Sequence, residues 1–305
     1  MESQESLAWF DGELRPLSEI RVSPLSHSLH YGTGVFEGIR AYEQDGGGGG
    51  VFRLPEHVDR LLSSARILGV EVPWSAEQLV EAALAVLRAG GLAEAYVRPL
   101  VWLGEGDMGV AGEGNPVHTM IAAWPWGAYL GDEGLRKGVA VAITGYERAT
   151  GNAVAQRAKV TGQYVTSFMA LRQVRAQGLA EGILLDRDGY LAEATGENLF
   201  LARRGVLTTP PDDSPILLGI TRESVLQLAL DAGLEVRYGR PTRTDLYDAD
   251  EAFLTGTAAE LTPIREVDGR ALRHSPGPLT RRLQDAYLGV VRGRGERAAE
   301  WVTRF

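Results

Sequence analysis

Residues 190–198 read Tyr190-Leu191-Ala192-Glu193-Ala194-Thr195-Gly196-Glu197-Asn198, which places two carboxylates among small and apolar side chains. The preceding Asp186-Arg187-Asp188-Gly189 is a turn sequence, so the stretch is predicted to contain the second strand of a hairpin. An ionised carboxylate such as Glu193 is costly in that setting unless a cation faces it. The stretch is therefore a candidate binding site, although a solvated edge strand would also explain a single Glu.

Lysine is scarce in this chain. Of its 31 Lys and Arg residues, only Lys137 and Lys159 are lysines. A primary amine, unlike a guanidinium, can deprotonate and attack a carbonyl. Lys137 lies in a polar turn sequence before a predicted strand, whereas Lys159 has no carboxylate nearby in sequence. Lys159 is therefore the candidate nucleophile.

Two further segments have the composition of anion sites. Leu218-Gly219-Ile220-Thr221-Arg222-Glu223 combines a glycine and a Thr N-cap with the start of a helix, whose free N–H groups attract anions. Leu254-Thr255-Gly256-Thr257-Ala258-Ala259-Glu260 follows a predicted strand and offers backbone amides and hydroxyls. An ordinary capped helix and a tight strand-to-helix turn explain the two segments equally well.

The rest of the sequence predicts a mixed α+β chain with two domains. Helices are expected from Pro55 and over residues 75–88, 161–177, 222–232 and 280–289. Strands are expected over residues 35–42, 51–54, 95–103, 118–124, 139–144, 183–185, 190–192 and 252–255. The five glycines at 46–50 are predicted to form a flexible hairpin tip. A phosphate-binding loop requires Lys-Ser/Thr and a helix after its glycines, and neither follows here.

Composition excludes several classes of function. The net charge of −9 argues against a general affinity for nucleic acid or anionic membranes. Without cysteine, the chain has no thiol nucleophile, cysteine-held zinc or iron–sulfur cluster, and we expect no metal site. The acidic first residues precede no apolar run, and no apolar run reaches about 18 residues, so we expect a cytoplasmic protein without a secretory signal or a membrane span.

Taken in order, Lys159, Glu193-x-x-x-Glu197-Asn198, Gly219-Ile220-Thr221-Arg222 and Gly256-Thr257-Ala258 resemble the branched-chain amino-acid aminotransferases, which are fold-type IV pyridoxal-phosphate enzymes. The resemblance extends nearly end to end. It includes residues 31–40 (Tyr-Gly-Thr-Gly-Val-Phe-Glu-Gly-Ile-Arg), 52–61, 96–99 and 122–131. The chain departs from the pattern in the five-glycine loop and in Glu105-Gly106-Asp107.

The resemblance implies a mixed α/β architecture in two parts. Residues 1–123 would form a smaller N-terminal α/β domain, and residues 124–135 an interdomain loop. Residues 136–305 would form a larger cofactor-binding domain with a pseudo-barrel sheet. The cofactor would lie in the cleft between the domains.

The resemblance also implies the cofactor, pyridoxal 5'-phosphate, and its contacts. Lys159 would be the catalytic residue, which holds the cofactor covalently and later moves a proton between substrate and cofactor. Glu193 would keep the pyridine nitrogen protonated, and Tyr164 would hydrogen-bond the phenolic oxygen. The phosphate and its surroundings would be held by Arg60, Gly219, Ile220, Thr221, Gly256 and Thr257.

The implied reaction is reversible transfer of the amino group of L-leucine, L-isoleucine or L-valine to 2-oxoglutarate. It gives branched-chain 2-oxo acids and L-glutamate by a ping-pong cycle through pyridoxamine phosphate. Arg98 and tyrosine hydroxyls would bind the side-chain carboxylate of glutamate. The remaining pocket residues would be Phe36, Gly38, Trp126, Tyr129 and Tyr164 along the walls, and Tyr96, Thr257 and Ala258 at the α-carboxylate.

Tyr31 and Val110 would reach the same pocket from the other subunit of a homodimer, with a hexamer of dimers as the alternative assembly. The Tyr31 ring would pack on an aliphatic substrate, and its hydroxyl would hydrogen-bond the carboxylate of glutamate. The homodimer would then be the smallest active unit.

Two other enzymes share this fold. A D-amino-acid transaminase usually carries His two residues after Arg98, where this chain has Leu100. An aminodeoxychorismate lyase would release pyruvate without needing a 2-oxo acid acceptor. A non-catalytic vitamin-binding or interaction protein on the same fold would be expected to lack Lys159 or Glu193, and both are present.

Overall fold

The computed structural model describes residues 6–127 and 129–305. Its strands are β1 (Leu7–Phe10), β2 (Glu13–Pro16), β3 (Val35–Phe36), β4 (Ile39–Glu43), β5 (Gly49–Phe52), β6 (Ala95–Leu103), β7 (Val117–Trp124), β8 (Val139–Glu147), β9 (Glu181–Leu185), β10 (Leu191–Ala194), β11 (Asn198–Arg203), β12 (Val206–Thr209), β13 (Glu235–Tyr238), β14 (Glu251–Gly256), β15 (Glu260–Val267), β16 (Arg270–Ala271) and β17 (Val302–Arg304). Its α-helices are α1 (His27–Tyr31), α2 (Leu54–Ile67), α3 (Ala76–Ala89), α4 (Gly131–Lys137), α5 (Tyr164–Arg175), α6 (Ile220–Asp231), α7 (Arg243–Tyr247), α8 (Pro278–Val291) and α9 (Glu296–Trp301). In the described ranges, no helix is long and apolar enough to cross a membrane.

The chain forms two compact units. Unit 1 comprises the described residues up to Trp126 together with Ala158–Gln163 and Val290–Phe305. Unit 2 comprises Gly127–Arg157 and Tyr164–Gly289.

This division differs from the boundaries expected at 123 and 136, because two segments from the second half of the chain pair with unit 1. Val160 forms a bridge to Val35, and β17 pairs with β5. The segment expected to be a loop over residues 124–135 contains the start of α4. Lys159 therefore belongs to unit 1, although it lies far along the chain from the rest of that unit.

Unit 1 is built on an antiparallel sheet with the strand order β17-β5-β4-β6-β7-β1-β2, and β3 adds to β6. The α2 and α3 helices pack on each other, and α3 also packs on β1 and β7. A capping box begins α3, in which the Ser75 hydroxyl accepts from Gln78 N, where the sequence predicted a helix start. The core of the unit lies between these elements and includes Leu54, Val58, Leu61, Leu79, Ala83 and Leu87.

The strand predicted over residues 35–42 is interrupted at Glu37 and Gly38, which separate β3 from β4. The Glu37 carboxylate is fully buried and ion-paired with α2, and a Cβ at Gly38 would collide with the Tyr96 hydroxyl at 2.0 Å. Both residues are thus held by side-chain packing, which the alternation pattern of a strand does not encode.

The five glycines at 46–50 divide into a turn and a strand. Gly47 and Gly48 adopt positive φ angles in the β4–β5 turn. Gly49 and Gly50 instead belong to β5. A Cβ at Gly49 would lie 2.2 Å from the Phe305 ring, and a Cβ at Gly50 would lie 2.5 Å from the Val302 side chain. The predicted hairpin tip therefore covers only the first three glycines, because the last two provide room for the C-terminal residues.

Unit 2 contains a mixed sheet with the strand order β10-β9-β8-β15-β14-β11-β12-β13, and β16 adds to β15. The β8–β9, β8–β15 and β12–β13 pairs are parallel, and the other pairs are antiparallel. Apolar residues of its strands form one buried cluster that includes Val141, Ile183, Leu199, Leu254 and Ile264. The hairpin predicted around Asp186–Gly189 is present as β9 and β10.

Candidate active site

Lys159 is anchored in unit 1 through its backbone. Its N–H donates to Ser64 Oγ on α2 at 3.0 Å, and its carbonyl accepts from Phe36 N at 3.1 Å. The Lys159 Nζ lies 5.0 Å from the centroid of the Phe36 ring. The flanking chain is fixed in the same way, because Gly162 N donates to the Gly32 carbonyl at 3.0 Å. The amine is thus placed beside an aromatic wall on a backbone that two elements restrain.

Arg60, which the sequence assigned to the phosphate, forms a two-pronged ion pair with Glu37. Arg60 Nε and Nη2 donate to the two Glu37 carboxylate oxygens at 2.6 and 2.9 Å. His57 Nδ1 donates to the same carboxylate at 2.7 Å. Burial alone would raise the pKa of Glu37, but the Arg60 charge and the hydrogen bonds from His57 and Arg60 outweigh it and hold that pKa well below its usual value. Glu37 is therefore ionised across the neutral range.

Neither Glu37 nor His57 was assigned a role from the sequence. A signal was present, because Glu37 lies in a predicted apolar strand and a carboxylate there needs a cation. Burial, opposed by Glu37 but reinforced by the Arg60 and Lys159 charges, lowers the pKa of His57. Its ring is therefore neutral and donates its one N–H to Glu37.

Four of the predicted substrate residues lie together on β3, β6 and the segment after β7. Arg98 Nη2 donates to the Tyr96 hydroxyl at 3.1 Å, and its guanidinium lies 4.9 Å from the Phe36 ring centroid. The Trp126 ring meets the Tyr96 ring edge-on at 4.5 Å. Arg98 Nε is buried without a hydrogen-bond partner among the described residues. A half-buried guanidinium whose Nε donor is unused among the described residues, beside aromatic side chains, suits a carboxylate ligand.

Tyr31 and Val110 lie on one exposed surface of unit 1. The Tyr31 hydroxyl donates to the Met108 carbonyl at 3.0 Å, and His27 Nε2 contacts the Gly109 carbonyl at 3.0 Å. Val110 is 80% exposed and Tyr31 44%. A phenol has one proton, so the hydroxyl bond to glutamate expected from the sequence would require Tyr31 to release Met108.

In unit 2, Glu193 is buried and has the cationic partner that its sequence context demanded. The partner is Arg148, whose Nη2 is ion-paired with Glu193 Oε1. Asn198 Nδ2 and Leu217 N each donate to Glu193 Oε2 at 3.1 Å. The sequence did not identify Arg148, because it lies 45 residues before Glu193 and approaches it only through the pairing of β8 with β9.

The start of α6 differs by two residues from the prediction. The helix begins at Ile220 with Gly219 as its N-cap, so Thr221 lies in the first turn and is not the cap. Glycine at the N-cap has no side chain to cap the first turn, and backbone amides at such a helix start are a typical anion site. A Cβ at Gly219 would lie 2.0 Å from Asn198 Oδ1. Asn198 thus contacts both the Glu193 carboxylate and the start of α6.

Residues 256–260 form the turn of the β14–β15 hairpin and not a strand-to-helix turn. Thr257 and Ala258 are half-buried at this turn, and Thr262 Oγ1 donates to the Ala259 carbonyl at 2.7 Å. Tyr129 N donates to the Ala258 carbonyl at 3.3 Å, which places another predicted pocket residue beside the turn. Burial, with the Glu197 and Glu181 charges, raises the pKa of Tyr129 to about 12, so its hydroxyl stays protonated.

The donor set fits the groups of pyridoxal phosphate. In unit 1, Lys159 offers an amine and Arg60 a guanidinium. In unit 2, the start of α6, whose N-cap is a glycine, offers backbone amides of the kind that suit a phosphate. Also in unit 2, Glu193 offers a carboxylate ion-paired with Arg148, and a carboxylate suits a pyridinium nitrogen. Tyr164 begins α5. The two units therefore each present part of the chemistry that the sequence predicted.

A family model described as amino-transferase class IV matches residues 34–267. A branched-chain-amino-acid aminotransferase of Pseudomonas aeruginosa is 44% identical over 304 residues, which span 99% of this chain and 98% of that protein. The crystal structure of the Escherichia coli branched-chain amino acid aminotransferase superposes with a TM-score of 0.96 at 43% identity, over 98% of this chain and 99% of that one. The Thermobaculum terrenum branched-chain amino acid aminotransferase in its PLP form gives 0.92 at 31% identity, over 99% of each chain. The predicted fold-type IV class is confirmed, and the chain belongs to the class IV aminotransferase family.

Proposed function

We propose that this protein is a pyridoxal-phosphate-dependent aminotransferase that moves the amino group of L-leucine, L-isoleucine or L-valine to 2-oxoglutarate. The observation that carries the proposal is its end-to-end similarity to branched-chain-amino-acid aminotransferases, at 44% identity over 304 residues for the Pseudomonas aeruginosa protein. The retained Lys159 and Glu193, each held by specific contacts, support it. A cytoplasmic location remains a prediction.

The cofactor, when bound, withdraws electrons from the substrate's Cα–H bond. Lys159 is the residue that we expect to anchor it and to carry the Cα proton, since its Nζ is the amine that the fold restrains beside Phe36. Glu193, which is ion-paired with Arg148, would hold the proton on the pyridine nitrogen. Tyr164 would donate to the phenolic oxygen. Arg60, Ile220, Thr221 and Thr257 would hold the phosphate, and Gly219 and Gly256 would allow the backbone to approach it.

The pocket must accept an aliphatic side chain in one half-reaction and a carboxylate in the other. Phe36, Trp126 and Tyr129 offer apolar surface for Leu, Ile or Val. For glutamate, Arg98 carries the positive charge, and its stacking on Phe36 lets the same surface serve both substrates. The α-carboxylate meets Thr257, Ala258 and Tyr96.

A homodimer is the smallest active unit that we propose, with a hexamer of dimers as the larger alternative. Several apolar side chains of unit 1 are exposed on and beside α1 and on the loop that α1 contacts. They are Leu25 at 51%, Leu29 at 65% and Val110 at 80%, next to Tyr31. Exposed apolar groups of this density favour a protein partner, and a second copy would bring Tyr31 and Val110 into use.

The test is incubation of the purified holoenzyme with each amino acid and 2-oxoglutarate, followed by measurement of glutamate. We expect glutamate with L-Leu, L-Ile and L-Val and none with their D-enantiomers. Failure with all three L-amino acids would contradict the proposal. Activity with D-alanine would favour a D-amino-acid transaminase, and pyruvate release from aminodeoxychorismate without an acceptor would favour the lyase.

A further inference from the structure

The buried Glu37 contacts Arg60 and His57, and the proposed function gives neither Glu37 nor His57 a role. Its carboxylate is completely excluded from solvent. It accepts two hydrogen bonds from Arg60 and one from His57, at 2.6 to 2.9 Å. A buried carboxylate is tolerated only when its oxygens are satisfied and its charge is balanced, and these two side chains do both.

The geometry of α2 brings these groups to one face. His57, Arg60 and Ser64 are spaced by three and four residues, so they lie on neighbouring turns of the same helix side. Ser64 Oγ donates to the Arg60 carbonyl at 2.7 Å and accepts from Lys159 N at 3.0 Å. The same face of α2 thus holds the Glu37–Arg60 pair at one end and the Lys159 backbone at the other.

His57 contributes a directed hydrogen bond to Glu37 and no charge. Because its pKa is lowered, the ring is neutral, and its N–H points at Glu37. His57 Nε2 has no hydrogen-bond partner among the described residues, which fits a ring whose only proton is on Nδ1. The group of Glu37, Arg60 and His57 therefore has no net charge, and its effect on an anion depends on where the Arg60 donors point.

We propose that Glu37 and His57 are positioning residues that fix the Arg60 guanidinium for the cofactor phosphate. This inference rests on the proposed cofactor contact of Arg60. It predicts that the contribution of Arg60 to phosphate affinity depends on the orientation of its guanidinium and not on added positive charge. Removing the negative charge of Glu37 should therefore weaken phosphate binding, although it leaves Arg60 more cationic toward an anion.

The test compares the affinity of the full-length apoenzyme for pyridoxal phosphate with its affinity for pyridoxal, which lacks the phosphate. The preference for the phosphorylated form should fall by about tenfold or more in Glu37→Gln, the effect of one misplaced hydrogen bond to a charged group. Pyridoxal affinity should change little. Arg60→Ala should remove the preference, and Glu37→Gln added to Arg60→Ala should have no further effect on it.

Glu56→Gln is the matched control, since half-buried Glu56 lies in the first turn of the same helix and is ion-paired with the buried N-cap residue Arg53; it should leave the preference unchanged. His57→Asn retains an amide N–H near the position of Nδ1 and should preserve the preference, whereas His57→Leu should reduce it. This pair keeps both charges, so it tests the inference even if Glu37→Gln does not fold.

An unchanged or increased preference in Glu37→Gln would overturn the inference, as would an equal loss for pyridoxal. A wild-type protein without any preference would instead refute the Arg60–phosphate contact of the proposed function. Because binding is measured without an amino acid, failure of leucine transamination would leave this result standing.

Discussion

Replacing Gly38 with alanine should reduce use of glutamate far more than use of leucine. A Cβ at residue 38 would lie 2.0 Å from the Tyr96 hydroxyl oxygen and 2.8 Å from Tyr96 Cζ. Carbon and oxygen approach no closer than about 3.3 Å, so the hydroxyl must move by about 1.3 Å. The Tyr96 ring is confined by Trp124 and Trp126, whose centroids lie 5.4 and 4.5 Å away. The shift therefore cannot be absorbed by free rotation of the ring.

The magnitude follows from the bond that this shift breaks. Arg98 Nη2 donates to the Tyr96 hydroxyl at 3.1 Å, and a hydrogen bond that involves a charged group contributes about 1.5–3 kcal/mol. That is roughly ten- to hundredfold in kcat/KM for glutamate, whose side-chain carboxylate Arg98 binds in the proposed function. In the same proposal, leucine contacts Tyr96 only through its α-carboxylate and has no group for Arg98, so the loss for leucine should be smaller.

The assay is the single-turnover half-reaction with each substrate, followed by absorbance of the bound cofactor. Gly46→Ala is the control in the same unit, because the nearest atom to its Cβ would be Arg304 Nη1 at 3.8 Å. Equal reductions of the two kcat/KM values in Gly38→Ala, or no change in either, would contradict this prediction.

Three further changes have expected outcomes. Gly219→Ala would place its Cβ 2.0 Å from Asn198 Oδ1. We expect the dissociation constant of pyridoxal phosphate to rise at least about tenfold because the start of α6 must move. An unchanged affinity would show that the Asn198 side chain moves instead. Tyr31→Phe removes the bond to the Met108 carbonyl, so kcat/KM should fall by similar factors for leucine and glutamate; a larger loss for glutamate would show that the hydroxyl turns to substrate. Glu37 and His57 have lowered pKa values in the folded state, from 4.5 and 6.5, so the unfolded chain binds more protons as pH falls. The free energy of unfolding should therefore decline below about pH 6.5 through His57 and below about 4.5 through Glu37, by at most about 1.4 kcal/mol per pH unit for each group. Urea unfolding of His57→Asn at pH 7 and pH 5 should show a smaller decline than wild type, and an identical decline would exclude His57 as its source.

Local sequence patterns predicted the elements whose signals are local. The helix begun by Ser75, the hairpin at residues 186–189 and the long strand β6 are all present where periodicity, capping and turn residues indicated them. The β15 strand was missed. It contains Pro263, and proline argues against a central strand because it cannot donate to the ladder, yet Pro263 is paired with Phe253 there.

The site was predictable where chemistry restricts the residue type. The scarcity of lysine singled out Lys159, and burial of a carboxylate demanded a cation for Glu193. The identity of that cation, Arg148, and the Glu37–Arg60 pair depend on long-range pairing, which no local window encodes. The placement of Lys159 in unit 1 has the same origin, since Val160 bridges to a strand more than a hundred residues earlier.

The proposed anchoring of the cofactor by Lys159 is simple to test, because Lys137 is the only other lysine in the sequence. Holoenzyme is reduced with borohydride, digested and mapped by mass spectrometry for the peptide that carries the phosphopyridoxyl group. We expect the label on Lys159 and none on Lys137, whose Nζ forms an exposed ion pair with Glu133 at 2.9 Å. A label on Lys137, or a Lys159→Ala protein that still forms glutamate from leucine and 2-oxoglutarate, would contradict it.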